Sequence, residues 1–292
     1  MTSPVSAALI PADLWPQDVG DLIRVGRPYD GGYVVPRCAL MAAHFLISVG
    51  VNDDWSFERA SVDLNPALRL TGVDATTTAW YVVRRGLRFR VEYGLACLTG
   101  RRAKREFLRT RMPSVFDYWR FWAQHTLIHK MLSRHASATT VRLQDLMDMT
   151  LADGAESRVF LKIDIEGAEY ALLDDIVSAG PRLTGLAMEL HDLPAHREQV
   201  TRFFAALRPH FVLVHLHANT YDGVDRDTAL PKVVEATWLV RSLMTEPARD
   251  AQALPRPALD QPSKYSHPQI SLVPAGAPAR AAEHSAPLAA AQ

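Results

Sequence analysis

The 292-residue chain is 48% hydrophobic and 22% charged with zero formal net charge, enough for one large α/β domain with a substantial core plus a tail. Two cysteines, Cys38 and Cys97, argue against a disulfide framework and for a reducing cytoplasm, and no Cys/His spacing resembles a zinc finger. No apolar run reaches the roughly eighteen residues a membrane span needs, and Met1 to Leu9 lacks the basic start and apolar core of a leader, so the chain reads as soluble and cytoplasmic.

Residues 1–13 look unstructured, and 1–21 are expected to form a flexible N-terminus ahead of a domain over 22–244. Leu22–Gly26 and Tyr29–Pro36 flank Asp30-Gly31-Gly32, a strong turn signal that suits a hairpin. Phe45–Val51 is a buried-strand candidate, and Ser56 to Ala60 starts a helix, a β-loop-α unit. Gly50 at the end of that strand lets backbone approach a ligand, and the helix behind it offers free N–H groups. Leu68–Asp74 is the next strand. Its final acid, about twenty residues past Gly50, is placed to accept both hydroxyls of an adenosine ribose. A helix-compatible stretch over 76–85 follows, then Phe89–Leu98 as the expected third strand.

The zero net charge conceals an asymmetry: Arg84 to Arg111 holds ten Arg and Lys against Glu92 and Glu106. This basic segment fits either an anionic partner or a solvated surface. Residues 100–138, with Phe116, Tyr118, Trp119, Phe121 and Trp122, read as a helical insertion. Val115, Trp119, Trp122, Ile128, Met131 and Leu132 approximate one helical face, suited to docking on the core, to substrate capture or to peripheral membrane contact.

Phe160–Ile165 has the β-branched, apolar character of a central parallel strand, ended by Gly167. Ala168, Leu172 and Ile176 then mark a helix packed on the sheet. Asp164 and Glu166, two residues apart, are expected on one side of that strand's C-terminal end, where open α/β sheets bind ligands. A carboxylate pair there meets a cation, a donor or a substrate hydroxyl, or else caps the following helix. Gly185–His191 is a further strand ending in Glu189 and His191. A helix over 195–207 and strands over Phe211–Asn219 and Val233–Val240 complete the pattern, with His215, His217 and Asn219 alternating along one side. Residues 245–292 are rich in Pro and Ala, and the last twenty read as disordered.

Seven strands interleaved with helices, a glycine after the first and an acid after the second suit the class I S-adenosylmethionine-dependent methyltransferase fold, a Rossmann-like α/β architecture. Ile163-Asp-Ile-Glu-Gly-Ala-Glu169 resembles the signature of the FkbM family of methyltransferases. Asp30-Gly-Gly-Tyr33, Ser48-Val-Gly-Val-Asn-Asp-Asp54 with Phe57-Glu58, Met188-Glu-Leu-His191, His215-Leu-His-Ala-Asn219 and 231–237 are similar to its branch that begins with a D-G-G-Y segment. The resemblance runs from about Leu22 to Leu243. It implies O-methyl transfer from S-adenosylmethionine to a hydroxyl of a glycan or other secondary metabolite. It also implies cofactor contacts at Gly50 and Asp74, with Asp164 and Glu166 as the signature acids; Val51, Asp54, Ala75 and Asp164 are the further cofactor-binding candidates. Val51-Asn-Asp-Asp54 departs from the family's glycine-rich loop after the first strand.

Methylating a hydroxyl needs the oxygen in line with the methyl carbon and a base or metal to take its proton. His191, whose ordinary pKa lies near neutrality, is the first choice of base, with a core or capping histidine as the alternative; His217 is the second choice. Asp164, Glu166 and a histidine are compatible with magnesium or manganese, although their spacing is not diagnostic. The resemblance implies a small-molecule or carbohydrate acceptor, and no nucleic acid is expected. The rivals are a nicotinamide-dependent oxidoreductase, disfavoured by the missing G-x-G-x-x-G, and a non-catalytic binding protein of the same fold.

Overall fold

The computed structural model describes residues 7–112, 114–151, 157–245, 249–250 and 253–275. Seven apolar runs form its central sheet: β1 (Phe45–Val49), β2 (Arg69–Val73), β3 (Thr126–Ile128), β4 (Val159–Ile163), β5 (Leu183–Leu190), β6 (Phe211–Ala218) and β7 (Val234–Val240). Their order is β6-β7-β5-β4-β1-β2-β3. Neighbouring strands run parallel from β5 to β3, whereas β7 is antiparallel to both β5 and β6. This is the layout of the class I methyltransferase fold, with a topological switch point between β1 and β4, where the chain reverses its direction of travel across the sheet.

Helices cover both faces: α1 (Ser56–Leu64), α2 (Ala79–Leu98), α3 (Arg102–Arg111), α4 (Val115–Trp122), α5 (Leu143–Leu151), α6 (Leu173–Ala179) and α7 (Arg197–Leu207). Strand side chains alternate between the two layers. Phe45, Ile47 and Val49 of β1 and Val159, Leu161 and Ile163 of β4 join the core under α5, α6 and α7, while Leu46 and Phe160 join that under α1, α4 and the hairpin Leu22–Val25/Tyr33–Pro36. Because both faces are covered, β1 and β4 are buried at every position, which explains their unbroken apolar sequence.

The expectation of a strand over Phe89–Leu98 is wrong. These residues complete α2, because Val82, Gly86, Phe89 and Ala96 recur at helical spacing on its buried side. The third strand is Thr126–Ile128, inside the stretch read as an insertion, so the helical excursion runs from α2 to α4. Residues beyond β3 add a small parallel pair, Met131–Leu132 with Thr140–Val141. The proposed single aromatic face is corrected too: Tyr118, Phe121 and Trp122 are buried, whereas Trp119 is 55% exposed. A Cβ built on Gly72 in β2 would lie 2.5 Å from the Trp122 ring, so α4 docks where the strand carries no side chain.

The chain ends within the described residues are more regular than expected. Ala7–Ile10 pairs in parallel with Ser271–Pro274, and Gln17–Asp18 pairs with Arg249–Asp250. Strands this short give too few alternations for a sequence pattern to register. The expectation of disorder at the C-terminal end concerns mainly 276–292, which lie outside the described residues.

Candidate active site

The C-terminal ends of β1, β4, β5 and β6 enclose a cavity of about 210 Å³ at the switch point. Its lining carries eight carboxylates, those of Asp30, Asp53, Asp54, Glu58, Asp164, Glu166, Glu189 and Asp222, against Arg27, Arg111, Lys162 and His191. Most of the cations are already engaged. Arg27 pairs with Asp54 at 2.8 Å, Arg111 with Asp30 at 2.9 Å, and Lys162 donates to the Gly50 carbonyl at 2.7 Å. Arg85, outside the lining, pairs with Asp53 at 2.7 Å, and the acidic groups of the lining still outnumber these cations.

Local backbone geometry fixes its rim. Gly50 has φ +80°, and a Cβ there would sit 1.6 Å from the Asp164 carbonyl oxygen. Its glycine is required by the crossing of the β1 and β4 ends, a different reason from the ligand approach expected. Strand β4 ends at Ile163, so the pleat does not align Asp164 with Glu166 as anticipated. Glu166 at φ +52° and Gly167 at φ +99° make a left-handed turn that brings the two acids back together.

The D-G-G-Y segment finds a role that spacing alone did not reveal. Tyr33 donates its hydroxyl to Asp164 Oδ2 at 3.0 Å, and Lys162 Nζ lies 5.4 Å from the Tyr33 ring centre and 3.9 Å from the same carboxylate oxygen. Burial first, then the Asp164 and Glu189 charges, hold the Tyr33 hydroxyl well above its ordinary pKa, so it serves as a donor. A Cβ on Gly31 would strike the Asp54 carboxylate at 1.8 Å, which explains the glycine before Gly32 and Tyr33.

His191, just past β5, is oriented by a residue not anticipated as a site residue. Glu169 is fully buried; its Oε1 accepts the His191 backbone N–H at 2.7 Å and faces His191 Nδ1 at 3.1 Å, while its Oε2 accepts from Gly167 N–H. The Nε2 edge faces Glu166 at 3.5 Å and Glu189 at 3.9 Å. Burial by itself lowers the imidazole pKa, but the Glu169 hydrogen bond and charge, with Asp164 and Glu166, outweigh it and raise the value. The available signal for Glu169 was the third acid of the Asp164-to-Glu169 motif.

Two more carboxyls are forced toward their neutral form. Burial raises Glu189 well above the ordinary range, with Asp164 and Glu235 adding repulsion, although Asn219 donates to its Oε1 at 2.6 Å. Burial also raises Glu58, opposed by the nearby Lys162. Both would ionise more readily if the cavity held a cation. Asp164, Glu166 and His191 each offer one ligand atom, all within 4.8 Å of one another, a donor set that suits a divalent cation.

The remaining expected residues divide. Val51 and Asp54 line the cavity, but Asp54 is occupied by Arg27 and accepts the Ser56 N–H at 3.0 Å. Asp74 and Ala75 lie outside its lining. Asp74 instead clamps the β1 loop to the β2 loop: Oδ1 accepts from Thr76 N, Thr76 Oγ1 and Thr77 N, and Oδ2 accepts from Asn52 N at 2.7 Å. Despite partial burial, these bonds hold its pKa below the ordinary value. His217 is the clearest displacement. It is buried away from the cavity, 3.3 Å from Glu235 and 3.0 Å from Gln269 Oε1. Burial opposes protonation, yet Glu235 carries its pKa up to about 9, so near neutrality it holds a proton and is no base.

No protein-family model matches the chain, and no curated protein matches it. Among solved structures it is similar to a putative RNA methyltransferase from Pyrococcus horikoshii (9% identity, 68% of this chain and 76% of that one, TM-score 0.33). It is also similar to precorrin-6y C5,15-methyltransferase from Geobacter metallireducens (13% identity, 69% and 84%, TM-score 0.31), and to the plantazolicin methyltransferase BpumL in complex with SAH (7% identity, 67% and 75%, TM-score 0.27).

Proposed function

We propose that the chain is an S-adenosylmethionine-dependent O-methyltransferase acting on a hydroxyl of a glycan or glycosylated metabolite. The observation that carries this reading is an acidic cavity at the β1/β4 switch point with one histidine aimed into it and backed by a buried carboxylate. The motif resemblance described above supports the same conclusion independently of the fold. The cofactor supplies a methyl group on a positively charged sulfur, and uncompensated carboxylates suit that charge. A dinucleotide pyrophosphate would meet the same carboxylates unfavourably.

Within this reading His191 Nε2 takes the acceptor hydroxyl proton, and Glu169 fixes the ring and stabilises the imidazolium that forms. Tyr33 and Lys162 hold Asp164 on the cofactor side of the cavity. Gly50 and Val51 form the cofactor-facing loop. Asp74 stabilises that loop and retains one acceptor position on Oδ2 for a ribose hydroxyl, while Ala75 lies beside it.

The Asp164, Glu166 and His191 set also fits magnesium or manganese, which would make His191 a ligand instead of a base. Chelation separates the two: transfer that survives EDTA supports the base, and loss restored by either metal assigns the trio to a cation. The acceptor class is tested by mass spectrometry of cell-envelope glycans with and without the gene. A methyl ether absent from the deletion strain is expected; identical glycans in both strains would refute the glycan assignment.

A further inference from the structure

Helix α2 carries a second apolar face opposite its core face. Val82, Phe89 and Ala96 pack inward, while Trp80 (69% exposed), Leu87 (62%), Val91 (56%), Leu95 (56%) and Leu98 (86%) face solvent. At about 100° per residue, Trp80, Leu87, Val91 and Leu98 fall within roughly 40° of one another, on the side of the helix away from Phe89. From Trp80 to Leu98 the stripe is about 27 Å long. Exposed Arg84 and Arg88 border it on one side and Arg90 on the other.

Such a continuous apolar stripe on an exposed surface marks an interaction site, and charge identifies its partner. Of the ten basic residues from Arg84 to Arg111, Arg85 and Arg111 pair inward with Asp53 and Asp30 and Arg88 and Lys104 hold Glu92 at 3.0 Å and 3.3 Å, which leaves Arg84, Arg90, Arg101, Arg102 and Arg109 exposed against Glu106. A second copy docked along the stripe would set arginine borders against arginine borders. An anionic lipid surface accepts the apolar stripe between its acyl chains and both borders at its phosphates, the arrangement of a helix lying in the interface plane. Among the described residues no helix is long and apolar enough to cross a membrane.

We infer that α2 is a docking helix for the surface of an anionic phospholipid bilayer. The attraction is electrostatic at long range and apolar at contact, and it does not depend on the methyl-transfer reading.

The test is flotation of the full chain with phosphatidylcholine vesicles that contain a minor fraction of phosphatidylglycerol, beside vesicles of phosphatidylcholine alone. The protein should float with the anionic vesicles, remain unbound with the neutral ones, and be released by high salt. Leu87→Glu with Val91→Glu should reduce vesicle partition roughly tenfold or more. Arg84→Gln with Arg88→Gln and Arg90→Gln should weaken partition and flatten its salt dependence. The substituted side chains are exposed, so thermal unfolding should stay near wild type; if the glutamate variant fails to fold, the arginine variant decides. Equal binding to both vesicles, flotation unchanged in either folded variant, or a salt-resistant dimer that Leu87→Glu dissociates without any vesicle binding would overturn the inference.

Discussion

At the scale of single residues the site turns on the Glu169–His191 pair. His191 must be unprotonated to accept a proton, and its surroundings raise its pKa. Methyl transfer should therefore increase with pH along an acidic limb whose midpoint lies above the ordinary imidazole value. Glu169→Gln should move that midpoint down while leaving S-adenosylmethionine binding largely intact, a change that general loosening of the fold does not produce. His191→Ala should reduce turnover by about 10²–10⁴-fold. A Glu169→Gln profile that coincides with wild type would remove the pair from the mechanism. His217 predicts a different pH effect. Its folded pKa of about 9 exceeds the ordinary 6.5, so its contribution to stability is complete below about pH 6.5 and is lost as pH rises through about 9, at most about 3 kcal/mol in all. Chemical denaturation across that window should show wild-type stability falling relative to His217→Gln; parallel curves would refute the assignment.

At the scale of elements, the rim depends on two close approaches. Gly50→Ala places a Cβ against the Asp164 carbonyl in a left-handed conformation, and should cost more than about 2 kcal/mol or displace the β4 end. Trp122→Ala removes the ring seated over Gly72 and should cost about 3–5 kcal/mol, measurable by urea denaturation; a loss below 1 kcal/mol, at about a third of the smallest value expected for such truncations, would contradict docking of α4 on β2. These elements also mark where sequence reading succeeded and failed. Six of the sheet strands were legible from their apolar content, most clearly β1 and β4, where burial at every position gives apolar runs closed by Gly50 and Gly167. The third was missed because β3 has three residues, while Phe89–Leu98 is apolar enough to imitate a strand. Its buried positions at 82, 86, 89 and 96 betray a helix only when read together with 79–85.

At the scale of the whole molecule, strand order brings segments far apart in sequence onto one edge. That is why Asp164 and His191 were legible together: each directly follows the end of a parallel strand, and such strands deliver their ends to one side, whereas Glu166 joins them through the left-handed turn at Glu166 and Gly167. His191, ranked ahead of His217 in the sequence, is the one that lines the cavity; what was not legible is that His217 is buried against Glu235. His191 and His217 both occur near strand ends, and alternation along β6 does not say which face is buried. Asp74 was placed correctly at the end of β2, but the hydrogen bonds it makes to the neighbouring loop depend on Asn52, whose positive φ no pattern signals. Chain connectivity likewise hid Glu169, whose partner lies twenty-two residues away across the sheet.

The central claim, that this acidic cavity serves a methyl-donating sulfonium compound, is tested most directly by calorimetric titration of the full chain with S-adenosylmethionine and, separately, with NADH. The account predicts saturable binding of S-adenosylmethionine in the micromolar range and no heat from NADH; saturable NADH binding with no heat from S-adenosylmethionine would contradict it.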